Sequence, residues 1–338
     1  MRGKGINYDT GFRPGGELSR TTFDPDVVAQ EMRIIASDLH CTAVRISGGD
    51  PERLTAAARH AAAVGLEVWF APFPCELTAD RLRPFFADCA RRAEEIRRGG
   101  AEVVLVTGCE LSLFASGFLP GATVYDRIAA LTTNNPRDWS AFRDIPGRLN
   151  AFLADVVADA RQRFGGRITY AAGTWEDVDW GPFDLVAADA YRGGHNADRF
   201  RDEVRAMFRH GKPVAVTEFG CCGYRGAGER GGTGWMIVDR GTEPPSLTGD
   251  PVRDEDEQVR YFQEVLEVFE REGVEAAFWF TFAGFELPHV AGDPRHDLDM
   301  ASYGVVKVLP GGLRGATYPS MAWEPKKVFH ALAAAYGG

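Results

Sequence analysis

Short apolar runs alternate with longer amphipathic stretches along most of the chain. The run at residues 102–107, with Val-Val-Leu-Val at its centre, is apolar at successive positions, which is typical of strands buried on both faces. In the stretches between such runs, apolar residues recur at helical spacing, as Val28, Met32 and Ile35 do. This alternation predicts parallel strands joined by crossover helices.

The pattern predicts eight strands and the helices that connect them. The strands are expected at residues 4–7, 42–47, 66–72, 102–107, 168–172, 185–188, 212–217 and 276–282. The helices are expected at residues 24–39, 50–64, 78–98, 139–164, 196–210, 254–272 and 323–336, and Asp-Pro pairs start the first two. No linker interrupts the series, so we expect one domain over residues 1–338, an α/β fold of the (β/α)₈ or TIM-barrel class with elaborated βα loops.

Two features depart from a plain barrel. The fifth crossover, residues 174–184, is too short for a full helix. An open doubly wound sheet is the structural alternative, although no G-x-G-x-x-G turn follows the first strand. Two loops are also long: residues 115–137 are expected to form a lid or a small subdomain, and the glycine-rich residues 223–234 a mobile lid.

Charge and composition argue against several classes of protein. The net charge of −10 and the lack of a basic face are not those of a nucleic-acid-binding protein. No apolar run reaches the roughly eighteen residues of a membrane span. The N-terminal residues lack the apolar region of a signal peptide, which predicts a cytoplasmic protein. The six cysteines form no C-x-x-C pair, so we expect free thiols and no structural zinc, and no motif requires a cofactor.

In a (β/α)₈ barrel the active site lies where the strands end and the following loops begin. Two carboxylates stand there: Glu110 follows Val-Leu-Val-Thr-Gly-Cys, and Glu218 follows Val-Ala-Val-Thr. Each could instead pair with an arginine on the rim, but the two together favour a functional pair. Glycosidic cleavage needs two such groups, one to protonate the leaving oxygen and one to attack the anomeric carbon. The other polar or aromatic residues at strand ends are Asn7, Asp9, Arg45, Cys109, Trp175, Glu176, Asp177, Asp189, Tyr191 and Trp279.

The Thr-Glu-Phe-Gly segment around Glu218 and the Val-Arg-Ile-Ser segment around Arg45 resemble motifs of the clan A glycoside hydrolases. This retaining (β/α)₈ group includes cellulases, β-mannanases and β-galactosidases, and the resemblance runs through nearly the whole chain as a series of short motifs. It implies that Glu218 is the nucleophile and Glu110 the acid/base. It also implies that Arg45 and Tyr191 contact the nucleophile and that Trp279 forms the floor of a sugar subsite.

One position departs from the clan pattern. Cys109 stands before Glu110, where the clan usually has an asparagine that binds the sugar 2-hydroxyl, and a thiol is a poor hydrogen-bond donor. Either another group such as Asn7 or Glu176 makes that contact, or the substrate is not an ordinary hexopyranoside. Glu176 is also a rival for the acid role, because it lies near the end of the fifth strand.

Several loop residues allow further interpretations. The loop aromatics either pack locally or together stack on a sugar face or an apolar aglycone; they are Trp175, Trp180, Tyr224, Trp235 and Phe285. An acidic loop could bind a divalent cation but fits no standard calcium spacing; it contains Asp293, His296, Asp297 and Asp299. Cys221 and Cys222 have no neighbouring histidine to activate a thiol. We therefore assign no metal site and no thiol nucleophile.

The sequence thus predicts a retaining O-glycoside hydrolase, or a transglycosylase that uses the same double displacement. A small soluble glycoside or glycosylated metabolite is the expected partner, with no nucleic acid and no membrane. Two alternatives stay open. One is a biosynthetic enzyme that uses the two glutamates for acid–base chemistry on a non-sugar metabolite, and the other is a barrel that binds carbohydrate without cleaving it.

Overall fold

The computed structural model describes residues 1–132 and 143–338, and within these residues eight parallel strands form one sheet. The strands are β1 (Gly3–Asp9), β2 (Ala43–Gly48), β3 (Glu67–Pro72), β4 (Val103–Cys109), β5 (Arg167–Ala171), β6 (Val186–Asp189), β7 (Val214–Phe219) and β8 (Ala276–Trp279). Their hydrogen-bonded order is β5-β4-β3-β2-β1-β8-β7-β6. The two end strands meet at a bridge between Ala172 and Ala188, where the Asp189 amide donates to the Ala172 carbonyl at 2.9 Å. The sheet is therefore a nearly closed barrel, and the predicted (β/α)₈ fold is confirmed.

The first three crossover helices begin where the sequence predicts, whereas the helix after β6 begins at Phe200, four residues later than predicted. The longer described helices are α1 (Pro25–Ser37), α2 (Pro51–Ala63), α3 (Ala79–Arg98), α4 (Ile145–Arg161), α5 (Phe200–Met207), α6 (Glu255–Glu272) and α7 (Lys327–Tyr336). Asp24 and Asp50 each accept a hydrogen bond from the backbone N–H two residues later, at 2.9 and 2.8 Å. A proline follows each cap, at a position whose N–H would have no partner inside the helix. Among the described helices, none combines the length and apolar character needed to cross a bilayer.

The end of the chain differs from its expected structure. The predicted helix at residues 323–336 is wrong in its first part, because Trp323–Pro325 is a short strand antiparallel to Val306–Val308. Pro325 disfavours helical backbone at the residue before it, and α7 begins only at Lys327. The C-terminal helix is therefore shorter than its apolar pattern suggests.

The loops after β4 and β7 are elaborated, and the crossover between β5 and β6 is short. The predicted loop at residues 115–137 and the predicted helix at residues 139–164 both extend into residues 133–142, which lie outside the described residues. In the described parts, the loop forms a short helix, Val124–Thr132. Residues 172–185, all of them described, contain no helix between β5 and β6, in agreement with the short crossover. The glycine-rich loop folds into a helical turn, Ala227–Arg230, followed by a 3₁₀ segment.

The two ends of the barrel are built differently. Buried apolar side chains, among them Trp69, fill its interior. At the N-terminal end, Arg167 pairs with Glu275 at 2.6 Å and with Glu67 at 3.1 Å, while Arg2 pairs with Glu275 at 2.9 Å. These charges close that end, whereas the C-terminal ends of the strands open into a cavity.

Candidate active site

A cavity of about 1010 Å³ opens at the C-terminal ends of the strands and extends along α5 as far as His210. Cys109 and Glu110 at the end of β4, Asp189 at the end of β6, and Glu218 near the end of β7 all line it. This is the end of a (β/α)₈ barrel at which function is expected. The structure therefore brings the two glutamates selected from the sequence to one cavity.

Glu218 is held from two sides by hydrogen-bond donors. Arg45 Nη1 lies 2.8 Å from its Oε1, and the Tyr191 hydroxyl donates to its Oε2 at 3.0 Å. The Arg45 side chain is buried, whereas 13% of the Glu218 side chain is exposed. The guanidinium thus supplies a counter charge from inside the barrel, and the two donors orient the carboxylate towards the cavity.

Asn7 supports this arrangement from beneath. Its Oδ1 accepts from Arg45 Nη1 at 2.6 Å, and its Nδ2 donates to the Thr217 carbonyl at 2.9 Å. The side chain is only 1% exposed. Asn7 is therefore placed to orient Arg45 and to fix the strand that carries Glu218, and its amide does not face the cavity.

Glu110 enters the cavity from a left-handed turn. Its backbone has φ 43° and ψ 46°, and its N–H donates to the Ala171 carbonyl at 2.9 Å. Burial, followed by the charges of Asp189, Glu218 and Glu176, raises the pKa of Glu110 well above the usual range. None of the described residues donates a hydrogen bond to its carboxyl group. Glu110 is thus suited to carry a proton at neutral pH.

Glu176 holds the chain that follows Glu110. Its Oε1 accepts from the Ser112 N–H at 2.9 Å. Its Oε2 accepts from the Tyr170 hydroxyl at 2.8 Å and from the Gly173 N–H at 3.0 Å. The Tyr170 oxygen in turn accepts from the Leu111 N–H at 2.6 Å. Both oxygens of Glu176 are therefore engaged with the turn and with Tyr170, a geometry that favours a positioning role over the acid role.

Cys109 lies between two carboxylates. Its thiol donates to Asp189 Oδ2 at 3.4 Å, and its Sγ is 3.7 Å from Glu218 Oε1. Burial and these two carboxylates raise the pKa of Cys109 well above the usual range, so the thiol is neutral. Burial and the Glu218 charge also raise the pKa of Asp189, against the opposite effect of Arg45. The sequence placed Asp189 among the polar residues at strand ends but assigned it no role in the site.

The aromatic residues divide between the cavity and the core. Trp175, which is 44% exposed, and the half-buried Trp235 line the cavity. The structure does not bring Trp279 there: it is fully buried, and its indole N–H donates to the Tyr303 carbonyl at 2.9 Å. The next residue, Phe280, lines the cavity instead. Side chains alternate across a strand, so a shift of one residue moves an aromatic ring from the cavity to the core.

The acidic loop after β8 is occupied by protein cations. Asp297 pairs with Arg253 at 2.7 Å, and Asp299 pairs with Lys326 at 2.9 Å and with Arg253 at 2.9 Å. His289 contacts the other oxygen of Asp297 at 2.9 Å. Because these carboxylates already have positive partners, the cluster has the character of an ion-pair network and not of a divalent-cation site.

Solved structures of low sequence identity share this fold. A GH113 β-1,4-mannanase matches with a TM-score of 0.65 at 15% identity, over 100% of both chains. The GH113 β-mannanase AaManA from Alicyclobacillus acidocaldarius, in complex with ManMIm, matches with a TM-score of 0.63 at 17% identity, over 99% of this chain and 97% of that one. A family 1 β-glucosidase from Thermotoga maritima matches with a TM-score of 0.54 at 10% identity, over 98% and 97%.

No protein-family model and no curated protein matches the chain. At these identities the structural likeness establishes the fold. The chain has the (β/α)₈ barrel fold of these glycoside-hydrolase structures, as the resemblance of its motifs implied.

Proposed function

We propose that the protein is a retaining O-glycoside hydrolase, or a transglycosylase of the same mechanism, with Glu218 as nucleophile and Glu110 as acid/base. The observation that carries the proposal is the contrast between the two carboxyl groups at one cavity. Glu218 has a buried guanidinium as its partner, whereas burial and neighbouring carboxylates raise the pKa of Glu110. Glycosidic cleavage requires one carboxyl group that attacks and another that supplies a proton.

In the first step, a Glu218 oxygen attacks the anomeric carbon while Glu110 transfers its proton to the leaving oxygen. The glycosidic C–O bond breaks and an ester bond to Glu218 forms. The ester carries no charge, so one cause of the raised Glu110 pKa disappears at this point. Glu110 can then accept a proton from the attacking water or alcohol, which releases the sugar and restores both groups.

The solved structures that share the fold are mannanases and a β-glucosidase, which supports this proposal at the level of reaction type. The identity of the sugar has to be inferred from the residues that line the cavity of this chain. Cys109 stands where the resemblance to the clan implies an asparagine that binds the 2-hydroxyl, and its thiol contacts Asp189 and Glu218, so we infer an unusual partner for that part of the sugar.

The Glu218→Ala variant tests the proposal. With 4-nitrophenyl glycosides of glucose, mannose, galactose and glucuronic acid in both anomeric forms, we expect the wild type to give retention of configuration by NMR. Glu218→Ala is expected to lose turnover, and azide is expected to restore it with a glycosyl azide of inverted configuration. Retained turnover in Glu218→Ala, or an inverted product from the wild type, would contradict the mechanism.

A second candidate function rests on Cys109. A neutral thiol, in contact with the buried Asp189, stands where the resemblance implies a sugar-binding asparagine, which favours a biosynthetic enzyme that uses the two glutamates on a non-sugar metabolite. A wild-type enzyme inert to the whole glycoside panel favours this alternative. Tight binding of a sugar in calorimetry without turnover would instead favour a binding protein.

A further inference from the structure

One side of the cavity is built from apolar side chains. We call this surface the apolar wall; it consists of Phe12, Phe73, Leu113, Phe114 and Trp175, all of which line the cavity. The ring centroids of Phe12 and Phe73 are 4.9 Å apart, and those of Phe73 and Phe114 are 4.6 Å apart. Phe12, Phe73 and Phe114 thus form one aromatic surface across the loops that follow β1, β3 and β4.

The apolar wall lies on the Glu110 side of the cavity. Leu113 and Phe114 belong to the short helix that begins directly after Glu110. Trp175 is tied to the same helix, because its indole N–H donates to Ser112 Oγ at 3.1 Å. A general acid must reach the leaving oxygen, so the leaving group of the substrate lies beside Glu110 and against this wall.

The wall offers no free polar side-chain group. Phe12, Phe73, Leu113 and Phe114 have none, and the only one in Trp175 is already bonded to Ser112. A second sugar ring at this place would need partners for several hydroxyl groups, since a buried hydroxyl without a partner is unfavourable. The surface therefore matches an apolar body better than another sugar.

Exposed apolar side chains concentrate at this cavity. Five large apolar side chains are exposed among the described residues, and three of them, Tyr125, Trp175 and Met236, line the cavity. The other two, Val252 and Leu313, do not. Apolar surface kept exposed in a concave site is typical of a binding site for an apolar ligand.

From these observations we infer that the leaving group is an apolar alcohol, an alkyl, aryl or terpenoid aglycone, which packs on the apolar wall while Glu110 protonates its oxygen. The inference rests on the proposed function and gives it a substrate class. Burial of one methylene group strengthens binding about threefold to fourfold. Long alkyl glycosides are therefore better substrates than short ones.

The test uses the full chain and the sugar that the 4-nitrophenyl panel identifies. The measurement is kcat/KM for the methyl, butyl and octyl glycosides of that sugar, whose leaving alcohols have similar acidity. We expect octyl to exceed methyl at least about tenfold. Trp175→Ala is expected to lower the octyl-to-methyl ratio at least about threefold, and Phe12→Ala, which leaves the Ser112 contact intact, to lower it as well.

Leu313→Ala is the matched control, because Leu313 is 61% exposed and lies outside the cavity. The control is expected to keep the wild-type ratio. An active enzyme whose kcat/KM is independent of alkyl length, or higher for a disaccharide than for the octyl glycoside, overturns the inference and leaves the proposed function intact. An enzyme inert to every glycoside of the panel removes the proposed function, and the inference with it.

Discussion

Glu218 and Glu110 end strands of the same barrel, yet the structure holds them in different ways. Glu218 is held directly through its carboxylate, by Arg45 and Tyr191. Glu110 is held through its backbone and through the turn after it, while its carboxyl group receives no hydrogen bond from the described residues. A group that keeps its charge until it reacts benefits from fixed donors. A group that must release and regain a proton benefits from a fixed backbone and an unbound carboxyl group.

The largest expected effect comes from the acid side. Glu110→Gln keeps the shape of the side chain but removes its proton, so kcat on alkyl glycosides is expected to fall by about 10⁴-fold. With a 2,4-dinitrophenyl glycoside, whose leaving group needs no proton, the loss in the first step is expected to be far smaller. Similar losses on both substrates would mean that Glu110 acts by other means than proton transfer.

The same group sets the pH dependence. The protonated form of Glu110 is the active one and its pKa is raised, so kcat/KM of the wild type is expected to decline as pH rises through that elevated pKa. In Glu110→Gln this alkaline decline is expected to vanish. A pH profile of kcat/KM for both proteins provides the check.

The next effect comes from the nucleophile side. Arg45→Met removes the buried counter charge of Glu218, and loss of one fixed electrostatic group in an active site corresponds to about 10²-fold to 10³-fold in kcat. Arg45→Lys keeps the charge but loses the planar group that contacts both Asn7 and Glu218, so an intermediate loss is expected. Thermal unfolding of both variants separates loss of fold from loss of activity. Equal activity of the Arg45→Met and Arg45→Lys variants would contradict an electrostatic role of Arg45.

The smallest expected effect tests the indirect support of Glu110. Glu176→Gln keeps the size of the side chain and removes a charge that helps to raise the Glu110 pKa. We expect about a tenfold loss of kcat on alkyl glycosides and an alkaline limb shifted to lower pH. Tyr170→Phe removes the hydroxyl between Glu176 and Leu111 but keeps the Glu176 carboxyl group. It is expected to reduce kcat without moving the alkaline limb to lower pH. If the alkaline limb of the pH profile does not move in Glu176→Gln, the role of Glu176 is purely structural and its charge does not act on the pKa of Glu110.

The surroundings of Glu218 could be predicted from the sequence to a greater extent than those of Glu110. The strand-end positions of Glu218, Arg45 and Tyr191 place the three residues around one cavity, and the resemblance to the clan implied the contacts that the structure shows between them. The support of Glu110 could not be found in this way. It depends on a left-handed turn and on a loop that folds back from β5, and no periodic pattern encodes either of them.

Two further differences have the same physical origin. The strand-eight aromatic at the cavity is Phe280 and not Trp279, because the twofold alternation of a strand is ambiguous in a run of successive aromatics. The pairing of Cys109 with Asp189 joins residues 80 positions apart, and it exists only once the barrel has closed between β5 and β6. Local sequence predicts the positions of such groups but not their partners.

The charged ring at the N-terminal end of the barrel has a consequence for how this protein can evolve. Arg2, Glu67, Arg167 and Glu275 tie the strands together about one strand length, roughly 20 Å, away from the cavity. Insertions and substitutions in the loops at the other end leave these ties unchanged. The barrel is therefore modular: during evolution the loops around the cavity, and with them the bound ligand, can change while the ion pairs that hold the strands stay the same.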